Sequence, residues 1–466
     1  MYTPIPSPKN MKTTQQTVPA VLENSFADLS WDREFDGAVK AYRHAVREKQ
    51  GTAASQLCLI RKEGAEEAYE ISVTPQKVTL SAASNEGMNR AFATLLQLTQ
   101  KTEEGYVLPC TEISDAPDCP WRGLMLDLSR CWHEPDYLYA AADLCWFYRA
   151  NRLQLHLTDD QGIRFPFRTY PEAVAEKHYT EETLKDFISY CADRGIMIIP
   201  EIDAPGHATP FTKAYPEIFG KQNGIMCADP VAFDALKALY REVAEFFPDS
   251  PYIHVGGDEA AIAKWKDCDR SKAYMEQHGL ADEHQLYGHY ILQLVQIIKD
   301  LGRTPIVWEG FSKECNAMLP KDILVYAWES YYQLPNELLD AGFTLLNASW
   351  KPAYVVTRKK MWDPEDILDW EPNRWENWWE ASVASKAPII VPKESKINGG
   401  QMCTWGDAMA PHHAFGTERE MCDEEFENLN LRFPALCEKL WNPYTSPDKK
   451  EFRARLTESM EARKTL

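Results

Sequence analysis

The chain has 466 residues, enough for one large core and a smaller one, because single cores stop growing near ~250–300 residues. Its 44 % hydrophobic content is that of a globular protein, and a net charge of −20 argues against nucleic acid and anionic membranes, which both call for basic patches. No window reaches the ~18 unbroken apolar residues of a membrane helix.

The first twenty residues carry no apolar core of the kind a signal peptide needs. Twelve cysteines, among them Cys58, Cys145, Cys191 and Cys403 in apolar contexts, read as reduced thiols with no C-x-x-C pair. A cytoplasmic location is expected. Residues 68–73 and 77–81 alternate apolar and polar positions and predict a hairpin around Thr74-Pro75-Gln76. Residues 85–99 have helical spacing, with Ser84 as N-cap. Residues 1–115 are therefore read as a small α+β domain.

From Trp121 short apolar strands alternate with longer amphipathic helices, the pattern of a parallel sheet with crossover helices. Strands are predicted at 121–127, 152–160, 196–203, 252–259, 305–310, 323–330, 343–349 and 401–407. Eight such strands predict a (β/α)₈ TIM barrel over residues 116–445, followed by a helical tail at 446–466. An insertion at 358–398 separates the last two strands and holds Trp362, Trp370, Trp375, Trp378 and Trp379. It is expected either to pack on its own barrel, to shape the leaving-group side of a pocket, or to meet a second subunit.

Polar residues gather at the C-terminal ends of these strands, where barrel enzymes place their chemistry. The ends supply Asp127, Ser129 and Arg130; Asp159 and Asp160; Glu201, Asp203 and His207; Asp258 and Glu259. They also supply Trp308 and Glu309, Trp328 and Glu329, Trp350 and Tyr354, and Trp405 and Asp407. Indoles stack on the C–H faces of a pyranose, and carboxylates and Arg bond ring hydroxyls, so one rim with this content describes a sugar site. In the run His254-Val255-Gly256-Gly257-Asp258-Glu259, two adjacent carboxyls resist joint ionisation, which leaves one proton to donate. Glycoside cleavage needs such an acid and a second carboxylate.

The segments RGLMLDLSR (122–130), NRLQLHLTDDQGIRF (151–165), PEIDAPGHA (200–208), HVGGDEA (254–260), VWEG (307–310), YAWE (326–329) and TWGD (404–407) resemble those of the family 20 glycoside hydrolases, the β-N-acetylhexosaminidases. The resemblance covers most of 121–441, and residues 68–99 are similar to the family's small N-terminal domain. It implies an exo-acting, retaining enzyme that removes terminal β-linked N-acetylglucosamine or N-acetylgalactosamine without metal or organic cofactor. Glu259 would be the general acid and base. Asp258 would hold the substrate's 2-acetamido N–H, so that the acetamido oxygen attacks and forms an oxazolinium ion. Arg130 would bind the 3- and 4-hydroxyls, and Asp159 and His207 would form a relay behind Glu259. Trp308, Trp328 and Trp405 would box the sugar, Tyr354 would donate to the acetamido oxygen, and Asp407 would take the outer hydroxyls.

The chain departs from the family at two positions, both on the O4/O6 side of the pocket. Val356 stands where some members have Asp or Asn, and Asp407 where many have Glu. Trp350 competes with Tyr354 for one corner. Two other readings stay open: a non-catalytic sugar-binding barrel, and a metal-dependent hydrolase using His156, His207, His254 and Asp258. The expected partner is an oligosaccharide with a terminal N-acetylhexosamine, with a homo-oligomer possible and neither nucleic acid nor membrane involved.

Overall fold

The structure is a computed structural model that describes residues 3–27, 29–49, 51, 52, 54, 56–407 and 416–463. Near the N-terminus, strands Asn10–Pro19, Gly105–Asp115, Tyr69–Val73, Val78–Ala82 and Leu57–Arg61 lie side by side in that order. The predicted hairpin joins Tyr69–Val73 to Val78–Ala82, antiparallel and in register from Tyr69 opposite Ala82. Helix Asn85–Leu98 starts where Ser84 Oγ accepts from the Gly87 N–H at 3.1 Å, and it packs on the sheet beside helix Asp36–Val46. Short segments and interrupted alternation hid Leu57–Arg61 and Asp36–Val46 from the sequence reading.

The barrel follows. Its eight strands are Trp121–Asp127, Arg152–His156, Met197–Glu201, Tyr252–His254, Thr304–Trp308, Leu324–Ala327, Thr344–Asn347 and Ile397–Thr404. Every neighbouring pair is parallel, and Ile397–Thr404 bonds both Thr344–Asn347 and Trp121–Asp127, which closes the ring. Helices such as Pro135–Phe147, Glu181–Asp193, Pro230–Phe246, Glu283–Asp300 and Glu418–Trp441 cover the outside. The expected (β/α)₈ barrel behind a small α+β domain is the observed architecture.

Several strands stop earlier than predicted. The fourth ends at His254 because Gly256 and Gly257 take positive φ and turn the chain out of the sheet. The second ends at His156, after which Thr158–Asp159 folds back on Gly162–Ile163. These early stops free the polar residues for the rim. Inside the barrel, Gln401 donates to Gln154 at 2.6 Å and Gln154 donates to Glu201 at 2.7 Å, so buried polar groups satisfy one another across strands.

The insertion is ordered. Trp370 and Trp375 are fully buried, and the Trp375 indole donates to the Ala327 carbonyl at 3.0 Å. Strands Arg374–Trp375 and Ile389–Ile390 pair within it. Most of it packs on its own barrel, while Trp378 stays exposed. The tail helix Lys449–Arg463 buries Phe452 and Leu456, and Arg455 reaches back to the Pro4 carbonyl and the Ser7 hydroxyl.

Candidate active site

The turn after His254 builds the centre of the site. A Cβ at Gly256 would sit 1.9 Å from Asp203 Oδ1, so only glycine lets the chain pass over that carboxyl. Gly257 then donates its N–H to Asp203 Oδ1 at 3.0 Å. Tyr287 donates its hydroxyl to the Gly257 carbonyl from the helix behind. Glu259 itself adopts φ +46° and His207 φ +49°, left-handed conformations that non-glycine residues hold only where surrounding structure compels them. Strain of this kind clusters at functional sites.

The two acids end up in different surroundings. Asp258 is buried, and its Oδ1 has no hydrogen-bond partner among the described residues. Burial, reinforced by the charges of Glu259 and Glu201 against the pull of His207, lifts its pKa to about 7. The Glu259 side chain is 52 % exposed at the mouth. His207 Nε2 stands 3.6 Å from Glu259 Oε2, while its Nδ1 lies 3.1 Å from Asp159 Oδ1.

Behind this pair the charges continue into the barrel. Asp159 Oδ2 meets His156 Nε2 at 2.9 Å and Arg130 Nη2 at 3.0 Å. His156 Nδ1 lies 2.8 Å from Glu201, which also accepts from the Trp308 indole at 2.7 Å. Burial opposes charge on His207, yet Asp159 raises its pKa well above the usual imidazole range. The same imidazole, with His156 and Arg130, holds Asp159 well below the usual carboxylate range against burial. His254 lies under the site against Trp308, and burial lowers it to about 4.

A cleft of about 390 Å³, part of it open to solvent, is lined by Arg130, Asp258, Glu259, Trp328, Trp350, Tyr354, Val356, Trp405 and Asp407. Asp127 aims Arg130: its Oδ1 accepts from the Arg130 N–H and its Oδ2 from Nη1, both at 3.0 Å. The guanidinium lies 5.0 Å from the Trp405 ring centroid. Trp328 and Tyr354 stack with planes 4° apart, and Trp350 packs 5.5 Å from Tyr354. The Trp350 indole N–H is buried and unpartnered among the described residues.

Nearly all the residues singled out from sequence therefore meet at one mouth. Trp308 lies one layer below, touching Trp328 and Trp405 by its ring and Glu201 by its N–H. Trp350 and Tyr354 share the corner that either was expected to fill. The sequence reading assigned no separate role to Asp127 or Glu201, and it offered His156 only as a metal ligand. Their strand-end positions were visible, but their partners lie on other strands. Asp159, Asp160 and His207, and likewise Asp203, His207 and Asp258, bring ligand atoms within 4.8 Å of one another, a spacing a metal would accept. In both groups His207 is already paired with Asp159.

Comparison with known proteins adds an independent line. The family described as Glycosyl hydrolase family 20, catalytic domain, matches residues 119–443, and the family's domain 2 matches residues 4–116. A beta-hexosaminidase of Akkermansia muciniphila is 32 % identical over 321 residues, 62 % of this chain and 64 % of that protein. One from Vibrio furnissii is 29 % identical over 377 residues, 73 % of this chain and 61 % of its own length. The chain thus spans somewhat under two thirds of these relatives. Among solved structures, a GH20 exo beta-N-acetylglucosaminidase from Vibrio harveyi in complex with N-acetylglucosamine superposes with a TM-score of 0.81 at 22 % identity, covering 100 % of this chain and 78 % of that one. A beta-N-acetylhexosaminidase from Bacteroides fragilis gives 0.79 at 23 % identity, covering 99 % and 96 %. At these identities the two structures speak to fold.

Proposed function

The chain belongs to glycosyl hydrolase family 20, and we propose that it is an exo-acting, retaining β-N-acetylhexosaminidase working by substrate assistance. The observation that carries this reading is the buried, unpartnered Oδ1 of Asp258 beside the exposed carboxyl of Glu259. A buried acceptor without a donor costs free energy until a ligand N–H arrives, and the 2-acetamido group supplies one. With its N–H held there, the acetamido oxygen turns toward the anomeric carbon. Its attack breaks the glycosidic bond as Glu259 protonates the leaving oxygen. Positive charge then develops near the nitrogen of the oxazolinium ion, where the Asp258 anion stabilises it. Glu259, now a base, takes a proton from the water that opens the ring and restores the β configuration.

The remaining side chains support this sequence of events. Arg130, fixed by Asp127 and Asp159, faces the sugar hydroxyls. His207 and Asp159 form the charged contact that Glu259 leans on. Trp328, Trp350, Tyr354 and Trp405 enclose the ring and the acetamido methyl, and Tyr354 and the Trp350 N–H are donors for the acetamido oxygen. Val356 and Asp407 leave the O4 side loosely specified, which favours acceptance of both gluco and galacto configurations. No helix among the described residues is long and apolar enough to cross a membrane. Eleven of the twelve cysteines are buried as thiols, which supports a reducing, cytoplasmic setting.

The test compares hydrolysis of p-nitrophenyl β-N-acetylglucosaminide with that of the matching β-glucoside, in strong chelator. Release from the first at least a thousandfold faster than from the second is expected, because the glucoside lacks the nucleophile. Equal rates would place the nucleophile on the protein and overturn the assisted mechanism. Activity lost to chelator would revive the metal reading.

A further inference from the structure

Three carbonyl groups lie along the turn that leads from the fourth strand to Asp258. The Val255 carbonyl accepts from the Ala204 N–H at 3.1 Å, and the Gly256 carbonyl from the Trp308 N–H at 2.9 Å. Both are held by backbone at the ends of the flanking strands. The third carbonyl, on Gly257, belongs to the peptide that joins Gly257 to Asp258. Its donor is a side chain, the Tyr287 hydroxyl, which arrives from helix Glu283–Asp300. One oxygen atom on a helix outside the barrel thus completes the turn that carries the acid pair.

The surroundings leave this contact little room. Tyr287 is 4 % exposed. One turn along the same helix Ile291 closes on the turn as well, for a Cβ on Gly257 would meet its Cδ1 at 2.9 Å. A Cβ on Gly310 would stand 2.6 Å from the Gly257 oxygen, 2.9 Å from the Asp258 Cα and 3.1 Å from the Tyr287 hydroxyl oxygen. The peptide therefore sits between a phenol and bare backbone just past the fifth strand. Burial, with the charge of Asp258, pushes the Tyr287 phenol well above its ordinary pKa, so it keeps its proton and remains a donor.

The peptide needs such a hold. Gly257 has φ +88° and no side chain to steer it, and Glu259 is turned into the left-handed region at φ +46°. Between them Asp258 points wherever the preceding peptide aims it. A buried carbonyl without its donor costs free energy, and rotation of the peptide toward another donor would relieve that cost. Such a rotation carries the Asp258 carboxyl with it. Before the reaction that carboxyl meets a neutral amide N–H, whereas in the transition state it meets a growing positive charge. Misplacement therefore weakens the transition state more than the bound substrate.

Resting on the hydrolase reading above, we propose that Tyr287 is a positioning residue for the assisted reaction. Its hydroxyl, with the bare backbone of Gly310, clamps the Gly257–Asp258 peptide and aims the Asp258 carboxylate at the acetamido nitrogen. Tyr287 touches no substrate and acts only through Asp258.

The test uses Tyr287→Phe, which removes one oxygen atom and leaves the ring in its packing. On p-nitrophenyl β-N-acetylglucosaminide its kcat should fall about tenfold with KM within about twofold. Binding of a thiazoline mimic of the oxazolinium ion should weaken by the same factor as kcat, and binding of N-acetylglucosamine should hold within about twofold. Gly310→Ala, which crowds the same peptide, should give the same split. A Tyr287→Phe kcat within about twofold of the wild type overturns the clamp and leaves the hydrolase reading intact. Equal losses of thiazoline and N-acetylglucosamine binding would show a general loosening of the pocket and overturn it as well. So would a fall in kcat with thiazoline binding unchanged, since the hydroxyl would then act on a group other than Asp258. Silence of the wild type on every β-N-acetylhexosaminide overturns both readings.

Discussion

The Asp258 carboxyl shows at the level of one residue how function is set against stability. Its pKa rises from 3.8 in the unfolded chain to about 7 in the fold, chiefly through burial. The folded state therefore binds the proton more tightly. Stability from this group is fully present below pH ~3.8 and is lost as pH climbs through about 7. Asp258→Asn carries no such loss. Its melting temperature should match the wild type near pH 4 and exceed it by a few degrees at pH 8, at roughly 1 °C per kcal/mol for a chain of this length. Over the same range its kcat should fall about a hundredfold or more, with a smaller change in KM, because the charge acts mainly in the transition state. Thermal melts and kinetics at both pH values check this. A variant as active as the wild type would remove Asp258 from the mechanism, and one less stable at pH 8 would contradict the burial argument.

Among the elements, the loop after the sixth strand owes its shape to one side chain just past the end of the fifth strand. Glu309 is fully buried, and its two oxygens take the N–H groups of five successive residues, which otherwise lack any partner from helix or sheet. Hydrogen bonds to a charged acceptor contribute more than neutral ones. Glu309→Gln keeps the volume but turns one acceptor into a donor facing N–H groups. The expected cost is about 2–4 kcal/mol of stability, with hydrogen exchange accelerating at residues 329–333 before it does in the barrel strands. Unchanged exchange in that loop would mean that the insertion, through the bonds of Asn377 and Ser382 to the Glu329 carbonyl, holds it unaided.

The whole molecule is tied together by charges that cross from the first sheet to the barrel. Glu67, near the N-terminal hairpin, pairs with Arg90 on helix Asn85–Leu98 and with Arg122 on the first barrel strand, and accepts from Asn151 at 3.1 Å. Arg149 and the Trp441 indole both reach Asp115 at the end of the N-terminal sheet. Burial opposes ionisation of Glu67, but Arg122 and Arg90 outweigh it and hold the pKa at about 2. Its contribution is therefore present above pH ~4.5 and lost as pH falls through about 2. Glu67→Ala leaves two buried guanidinium groups uncompensated and should cost about 3 kcal/mol at pH 7, with the gap narrowing toward pH 2. Denaturant titrations at the two pH values measure it. Because the network joins both sheets, unfolding should remain one transition, and two separated transitions would show that the parts are independent.

The sequence by itself determined what depends on short stretches of chain. Strand and helix periods announced the eight-fold alternation, the Ser84 cap and the hairpin are local, and Asp258 and Glu259 are neighbours in the chain. Strand ends were overrun, at His254 and Ala327 for instance, because apolar pattern continues past the point where the chain leaves the sheet. Tertiary structure alone decided what depends on distance across the barrel. Glu259, His207, Asp159, His156 and Glu201 come from the ends of three neighbouring strands, and only the parallel pairing of those strands puts them in contact. The barrel likewise sets Trp308 below the pocket and Trp350 in its wall, and its loops bring the thiols of Cys227 and Cys268 to 2.7 Å. It also raised the proton affinity of Asp258, since the cost of a charge depends on how much water the surrounding fold removes. A residue's type and neighbours in sequence carry no record of that.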